Sequence, residues 1–258
     1  MQLADPLAQA WKAELRLRFA AEAGRTVLRE RRSEGPLVVQ KPLYPEGESI
    51  CHAIVVHPPG GIAGGDQLAL GARCESSAHA LLTTPGAGQW YRSAGSWAGQ
   101  TLAFDVAGTL EWLPRETIVF DGALASLSTD VALEENASFV GWEIVCLGRG
   151  EGFKRGRLRM ETRVRRGGRL LYVEKGEIEG GDPLLDSPVG LNGRRVFGTL
   201  IATSDAKMPP MEKIAVTRLS GLLVARYLGD SSEEALHRFT ALWKALRPDA
   251  VEPRIWST

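Results

Sequence analysis

Apolar and polar residues alternate along much of this chain, as they do in strands that bury one face. The first run places apolar side chains on one side, at Trp11, Ala13, Leu15, Leu17 and Phe19. Charged residues lie between them, and the same period of two returns within residues 68–74, 102–106 and 127–133. The 29 glycines and 14 prolines supply residues for turns between such runs. The pattern therefore predicts a mainly β protein.

Two further stretches predict β-hairpins. Residues 157–178 contain two strand-like runs that meet at a Gly-Gly pair, residues 167–168, which suits a tight turn between antiparallel strands. Residues 213–229 repeat this arrangement around residues 220–221. No internal repeat of fixed length stands out, and no change in composition marks a linker. We therefore expect a single β-rich domain over residues 1–258.

One stretch near the C-terminus departs from the β pattern. Within residues 231–248, apolar residues recur at helical spacing, at Leu236, Phe239, Trp243 and Leu246. Ser231 or Ser232 can cap the first turn, and Pro248 ends the helical pattern. These features predict an amphipathic helix whose apolar stripe packs on the core.

Composition limits the possible partners and cellular locations. The chain has 31 basic and 31 acidic side chains, so bulk charge favours binding to neither nucleic acid nor a membrane surface. No apolar run reaches the length of a membrane span, and the first residues lack the pattern of a signal peptide, so we expect a cytoplasmic protein. The three cysteines are far apart, which favours neither a disulfide framework nor a zinc site.

The segment HPPGGIAGGDQL, residues 57–68, resembles a phosphate-binding loop only superficially. A Walker loop carries Lys and then Ser or Thr after its last glycine, whereas the acidic Asp66 follows Gly65. The glycine spacing also differs from that of a dinucleotide-binding loop, and a carboxylate repels phosphate. Because glycines allow close backbone approach and Pro58 and Pro59 stiffen the start of the loop, we expect this segment to position Asp66.

No catalytic or metal-binding constellation stands out. The sequence contains no GxSxG motif and no histidine pair at the spacing of a helical zinc site. His57 is expected to be a hydrogen-bonded residue at the end of a strand rather than a ligand. Five isolated acids lie beside apolar or glycine-rich segments: Asp66, Glu116, Asp121, Glu143 and Glu174. Buried carboxylates need water, a basic partner or a metal, and both an arginine partner and a metal role stay open.

Six sequence blocks carry a family resemblance: HPPGGIAGGD, LLTTPGAGQWYRS, LEWLPRETIVFDGA, GWEIVCLGR, DSPVGLNG and PRIWST. In this order they resemble the blocks of the urease accessory protein D family, also called H in some bacteria. The similarity spans residues 57–256. Matching positions in the first two blocks include His57, Pro58, Pro59, Gly60, Gly61, Gly64, Gly65, Asp66, Thr84, Pro85, Gly86, Ala87, Tyr91, Arg92 and Ser93. In the third block they are Pro114, Glu116, Phe120, Asp121, Gly122 and Ala123.

The resemblance implies a fold and a function. The fold would be mainly β, a β-helical or solenoid-like assembly of antiparallel and parallel strands with one or two helices. The protein would be a non-enzymatic scaffold that binds accessory protein F and the GTPase G, docks on apo-urease and helps to pass nickel to the urease active site. Nickel would be bound only transiently, with no tight metal site and no tightly bound cofactor.

The five acids are then candidates for a polar nickel passage. Sparse carboxylates suit passage, because each strong imidazole or thiolate ligand would lengthen the metal's stay. Two other functions are weighed beside this one: a small-molecule enzyme that uses the glycine-rich loop at residues 57–66, and a β-rich binding module.

Overall fold

The structure is a computed structural model that describes residues 10–150, 152–206, 208 and 211–257. It is mainly β with one α-helix near the C-terminus, as predicted. The strands are β1 (Lys12–Glu22), β2 (Arg25–Glu34), β3 (Val38–Leu43), β4 (Ile50–Val56), β5 (Gln67–Cys74), β6 (His79–Thr83), β7 (Gly88–Trp90), β8 (Ala98–Val106), β9 (Thr109–Leu113), β10 (Thr117–Val119), β11 (Leu124–Leu133), β12 (Ser138–Leu147), β13 (Arg157–Arg166), β14 (Arg169–Glu179), β15 (Val196–Ala202), β16 (Ile214–Leu219) and β17 (Leu222–Gly229). The helix is α1 (Ser232–Leu246), and short 3-10 turns cover Pro183–Leu185 and Arg254–Ser257.

Two sheets face each other across the core. The first has the strand order β14-β13-β11-β8-β5-β1-β2, and the second has the order β16-β17-β15-β12-β9-β6-β4-β3, with β10 pairing with both β12 and β7. The central strands of both sheets are parallel, whereas β14, β15, β16 and β17 extend one end with antiparallel pairs. The chain thus winds as a solenoid of stacked coils and then continues as an antiparallel extension.

The coils have a constant length that the sequence does not reveal. Ile50, His79, Thr109 and Ser138 begin four strands and align in register from one coil to the next. Their spacing is 29 or 30 residues, although no repeated motif accompanies it. The repeat is therefore one of backbone pairing, because each coil needs only a similar length and an inward apolar face.

Most predicted elements are confirmed. β1 shows the alternating burial expected from its sequence, and both hairpins turn where predicted, between β13 and β14 and between β16 and β17. Trp11 is an exception, since it is 52% exposed instead of joining the buried face. It lies before Lys12, the first residue of β1 that pairs with β5, and is therefore outside the covered part of the sheet. That the chain forms a single domain stays a prediction.

The helix α1 begins and packs as predicted. Ser231 is its N-cap, and the Ser231 hydroxyl accepts a hydrogen bond from the Glu234 amide. The apolar stripe, with Phe239 and Trp243 fully buried, covers the outer face of the second sheet. The strand β12 is consequently buried on both of its faces. Within the described residues, no helix has the length and apolar character needed to cross a membrane.

Neighbouring coils approach most closely at their corners. A Cβ atom added at Gly156 would lie 2.3 Å from the Ala123 carbonyl oxygen, and one at Gly108 would lie 2.3 Å from the Ala78 carbonyl oxygen. Gly156 also has a φ of +98°, in the left-handed region that favours glycine. Both positions therefore require glycine for steric reasons, and Gly156 requires it for backbone conformation as well.

We expect the substitution Gly156→Ala to destabilise the fold by about 2 kcal/mol or more, because it adds a backbone clash to a strained φ. The matched control is Gly71→Ala, within β5, where an added Cβ meets nothing within 4 Å. That variant should be neutral or slightly more stable than the wild type. Urea unfolding of both variants measures the difference, and equal midpoints would contradict the close-packed corner.

A buried ionic cluster fastens the C-terminal end of α1 to the second sheet. Arg247 donates hydrogen bonds to both carboxylate oxygens of Glu46, at 2.5 and 3.0 Å, and its Nε lies 3.0 Å from Glu111. His52 Nε2 lies 2.7 Å from Glu46, and His79 Nε2 lies 2.5 Å from Glu111. The two glutamate side chains are only 4% and 2% exposed. The cluster therefore joins the helix end to three strands and the β3–β4 loop.

The charge of Glu46 makes this attachment sensitive to acid. Burial alone would raise the pKa of Glu46, but hydrogen bonds from Arg247, the Val251 amide and His52 lower it to about 2. A carboxyl with a lowered pKa contributes stability above its unfolded pKa, 4.5, and loses it as the pH falls towards 2.

We expect Arg247→Met to cost roughly 3–5 kcal/mol at neutral pH, because it leaves buried carboxylates without their cation. The variant should also lose less stability than the wild type between pH 4.5 and 2, since the Glu46 pKa is then no longer lowered by the guanidinium. Unfolding curves at several pH values measure both effects. Arg194→Met, which removes an exposed pair with Asp230, is the control and should change stability little. Similar losses in the two variants would refute the buried attachment.

Candidate functional site

The glycine-rich loop packs against the equivalent corners of the next coils. A Cβ added at Gly61 would lie 2.1 Å from the Tyr91 ring, and one at Gly64 would lie 2.3 Å from the Ser93 hydroxyl. The Tyr91 ring in turn stacks on Phe120, with ring centroids 5.2 Å apart and an interplanar angle of 4°. The first three sequence blocks thus meet along one edge of the solenoid.

The rest of these loops is arranged around that edge. Arg92 packs on Gly122 of the third block, and the Ser93 amide donates to the Gly122 carbonyl. Pro58 and Pro59 form an exposed turn that is closed by a hydrogen bond from the Gly60 amide to the His57 carbonyl. The loop is therefore built for contact between coils, and its glycines make room for neighbouring side chains.

Asp66 is held by the backbone. Its Oδ1 accepts a hydrogen bond from the Trp11 amide at 2.7 Å, and its Oδ2 accepts one from the Ala63 amide at 2.8 Å. The side chain is 4% exposed. Asp66 is positioned by its loop, as the sequence predicted, and it ties that loop to the start of β1.

Two cavities lie between the sheets and share part of their walls. The smaller has a volume of about 320 Å³ and is bordered by His57, Gly60, Thr84, Pro85 and Gly86 from the first two sequence blocks. The larger, about 740 Å³, lies towards β14 and β17 at the antiparallel end. Trp112 and Glu143 border both cavities. Pro85 and Gly86 at the smaller cavity and Lys175 and Gly176 at the larger one are exposed, so each cavity reaches the surface at its own end.

Glu143 is the acid where the cavities meet. It belongs to the inward-facing row of β12, which otherwise consists of Phe139, Gly141, Val145 and Leu147. Burial raises the pKa of Glu143 to about 7, and a hydrogen bond donated by Thr117 Oγ1, at 2.5 Å, acts in the opposite direction. This carboxyl therefore exchanges its proton near neutral pH.

Two other polar side chains in the cavity walls have buried atoms without a partner. Trp112 Nε1 and His57 Nε2 are both buried and make no hydrogen bond within the described part of the chain. The prediction of a hydrogen-bonded His57 thus fails for Nε2, which is buried without a partner in a residue that borders the smaller cavity. Burial lowers the pKa of His57 although the Asp66 charge opposes this, which favours a neutral imidazole.

Glu174 borders the larger cavity within a polar network. Its carboxylate accepts hydrogen bonds from Arg226 at 2.5 Å, from the Tyr172 hydroxyl at 2.7 Å and from the Thr199 hydroxyl at 3.4 Å. Arg226 also donates to the Tyr172 hydroxyl at 3.1 Å. Since β14 and β17 belong to opposite sheets, this network links the sheets at the antiparallel end.

Glu116 and Asp121 do not border either cavity. Glu116 lies 3.7 Å from Arg115 and accepts a 3.4 Å hydrogen bond from Ser232. Asp121 accepts hydrogen bonds from the amides of Lys154 and Arg155 and pairs with the Arg155 side chain. Burial acts to raise the pKa of Asp121, but these hydrogen bonds lower it overall. Both acids thus have partners that connect loops.

Sequence reasoning missed Trp112 and Thr117 at the cavities and Glu46, Glu111 and Arg247 in the buried cluster. Thr117 and Trp112 lie within a recognised block, but nothing local shows that they face inward next to Glu143. A useful signal was available at Glu143, because it is the only charged residue in an apolar run, residues 138–147. In the described ranges, no three His, Cys, Asp or Glu side chains come together to hold a metal ion.

The pKa of Glu143 predicts how stability changes with pH. A carboxyl whose folded pKa is raised stabilises the fold below its unfolded pKa, 4.5, and loses that contribution as the pH rises through 7. Glu143→Gln cannot ionise, so above pH 7 it should be more stable than the wild type by about 3 kcal/mol. The two proteins should converge near pH 4.5. Chemical unfolding across this range is the measurement, with the exposed Glu134→Gln as control. A constant difference at all pH values would mean that Glu143 does not titrate near 7.

Comparison with known proteins agrees with the sequence blocks. The family model described as UreD urease accessory protein matches residues 12–257. The urease accessory protein UreD of Dechloromonas aromatica is 50% identical over 96% of this chain and 95% of its own length. The corresponding proteins of an Azoarcus species and of Pseudomonas fluorescens are 49% and 46% identical, each over 96% of this chain and over 94% and 95% of their own lengths. On the strength of this nearly complete match, the chain belongs to the UreD family of urease accessory proteins.

Proposed function

We propose that this protein acts in urease maturation as a non-catalytic scaffold. In this role it binds accessory protein F and the GTPase G, docks on apo-urease and passes nickel towards the urease active site. Family membership and the names of its relatives support the urease role. Nickel is cargo in this proposal, bound in passing and not retained as a cofactor.

Two adjoining cavities, which have Trp112 and Glu143 as common wall residues, are the observation that supports the nickel-transfer part. They run between the sheets from the glycine-rich edge to the antiparallel end, and Glu143 borders both. A dication that passes from one cavity to the other would meet the Glu143 carboxylate in walls that are otherwise mostly apolar. Glu143 is therefore the principal passage residue of the proposal.

The chemistry of the walls suits transfer better than storage. An ionised Glu143 stabilises a dication, and a pKa of about 7 allows a proton to replace the metal when it leaves. His57 Nε2 and the Thr117 hydroxyl offer one further donor atom each, on different elements. Because such scattered ligands do not complete a coordination shell, the metal is released readily.

The other four candidate acids differ in how directly they could contact the metal. Glu174 borders the larger cavity, but it must first exchange its bond to Arg226 before it can bind a cation. Asp66, Glu116 and Asp121 act from outside the cavities by holding the loops that border the passage. The enzyme hypothesis for residues 57–66 receives no support from a specific contact, since these loop residues contact neighbouring coils and show no catalytic pair.

The decisive experiment compares nickel insertion with complex formation. Glu143→Gln keeps the shape of the side chain but removes its negative charge, so we expect urease activation to decrease about tenfold or more while the complex with F, G and apo-urease still forms. Activation is measured by urease activity and bound nickel, and complex formation by co-purification. Glu134→Gln, an exposed glutamate outside both cavities, is the matched control and should activate normally.

The outcomes separate the two parts of the proposal. Normal activation by Glu143→Gln would refute the passage but leave the scaffold role intact. If the wild-type protein does not co-purify with F, G and apo-urease under any condition, the scaffold role itself is refuted. Asp66→Asn serves as a further comparison, because the loss of an acceptor for a backbone amide should lower stability before it affects nickel specifically.

A further inference from the structure

The four outer edges of the two sheets differ in their protection. In the first sheet, β2 ends with residues 29–34, which are all exposed and, except for Ser33, all charged. In the second sheet, β3 and β16 have only six residues each, and β3 contains Pro42. Charge, proline and short length all discourage pairing with another chain. The edge formed by β14 also carries charged residues, but it is neither short nor interrupted by proline.

The β14 edge is long and exposed. It has 11 residues and pairs with β13 on one side, and no strand of the described ranges pairs with its other side. Leu170 and Val173 on this strand are 53% and 51% exposed. The three consecutive residues Lys175, Gly176 and Glu177 are also exposed. Every second residue of an edge strand points its N–H and C=O groups away from the paired neighbour, so unpaired backbone groups are available along β14.

The sequence around Gly176 is complementary to itself. In an antiparallel pair of two β14 strands centred on Gly176, Lys175 of each copy lies opposite Glu177 of the other. Shifting the centre by one residue in either direction would place Lys175 opposite Lys175 or Glu177 opposite Glu177. Charge therefore favours the register centred on Gly176 over its neighbours.

We propose that β14 is a self-association surface on which a second copy of this chain pairs its own β14 antiparallel, about a two-fold axis at Gly176. The glycine suits the axis, because a Cβ added there meets nothing within 4 Å and the two backbones can approach freely. Such pairing joins the first sheets of the two copies into one continuous sheet and covers Val173. It closes after two copies, because each partner uses the same edge.

This contact is small. One strand pair buries less surface than the roughly 1,200–2,000 Å² of stable complexes, so the dimer should be reversible. Lys175 and Gly176 also border the larger cavity, so the pairing lies at one end of that cavity, but it involves neither Glu143 nor nickel. The absence of self-association would therefore leave the scaffold and passage proposals untouched.

Charge reversal provides the first test. Sedimentation velocity of the full-length chain should show a monomer–dimer equilibrium, and Glu177→Lys should weaken it about tenfold because two attractive pairs become repulsive. Lys175→Glu should act similarly, and the double variant with both reversals should restore dimerisation. Thermal unfolding of each variant checks folding, since Glu177 also contacts Arg159 at 3.0 Å.

A cysteine at the axis provides a second test that needs no charge change. Gly176→Cys places two thiols opposite each other, so mild oxidation should convert the chain to a disulfide-linked dimer. Val189→Cys, at a position 90% exposed and outside β14, is the control and should cross-link much more slowly. The native Cys51 and Cys74 are buried and Cys146 is half-buried, so the wild type measures the cross-linking background of the native thiols.

The results decide the proposal either way. A dimer that is weakened by each single reversal, restored by the double reversal and trapped by Gly176→Cys supports it. A wild type that stays monomeric at all concentrations, or that grows beyond a dimer, overturns it. Equal cross-linking rates at positions 176 and 189 overturn it as well, and this comparison decides the matter if a charge variant fails to fold.

Discussion

Backbone pairing between successive coils is the constraint on which the rest of this structure depends. Each parallel strand satisfies its N–H and C=O groups with the coil before and the coil after it, so the corners must stack as closely as the strands do. At Gly156 and Gly108 this leaves less room than a methyl group requires. The glycines of the recognisable blocks at positions 61 and 64 serve the same close approach, which explains a pattern that resembles a ligand-binding loop.

The same stacking produces the interior space. Two sheets built from coils of nearly constant length stay at a fixed separation, and large side chains fill most of the gap. Where the inward row of β12 contains Glu143 instead of a large apolar residue, the gap remains open. The cavities are thus a consequence of side-chain size along β12 and its neighbours, and Glu143 lies where a carboxyl is most affected by desolvation.

Buried charge is handled in two different ways in this molecule. Glu46 and Glu111 share the Arg247 guanidinium and each contact an imidazole, so the Glu46 pKa is lowered and the cluster fastens α1 to the sheet. Glu143 has only the Thr117 hydroxyl, so burial dominates and its pKa moves towards neutrality. The first arrangement favours a permanent attachment, whereas the second leaves a group that can change its charge under physiological conditions.

The sequence by itself determined the local features of this protein. The sequence predicted the alternation along β1, the Gly-Gly turn before β14 and the cap of α1. Each of these features depends only on residues a few positions apart. The six blocks were also enough to identify the family, although what their glycines contact was not visible. The predicted burial of Trp11 was wrong, because alternation along a strand does not show at which residue its pairing with the neighbouring strand begins.

Only the tertiary structure decided which polar residues meet. Glu46 and Arg247 are 201 positions apart, and Glu143 and Thr117 come together through the stacking of two coils. The five candidate acids look alike in sequence, yet two border cavities and three hold loops, because burial and partners are properties of the packed sheets. Pairing between strands that are distant in sequence determines the burial and the partners of these acids, so the spacing of residues along the chain does not predict them.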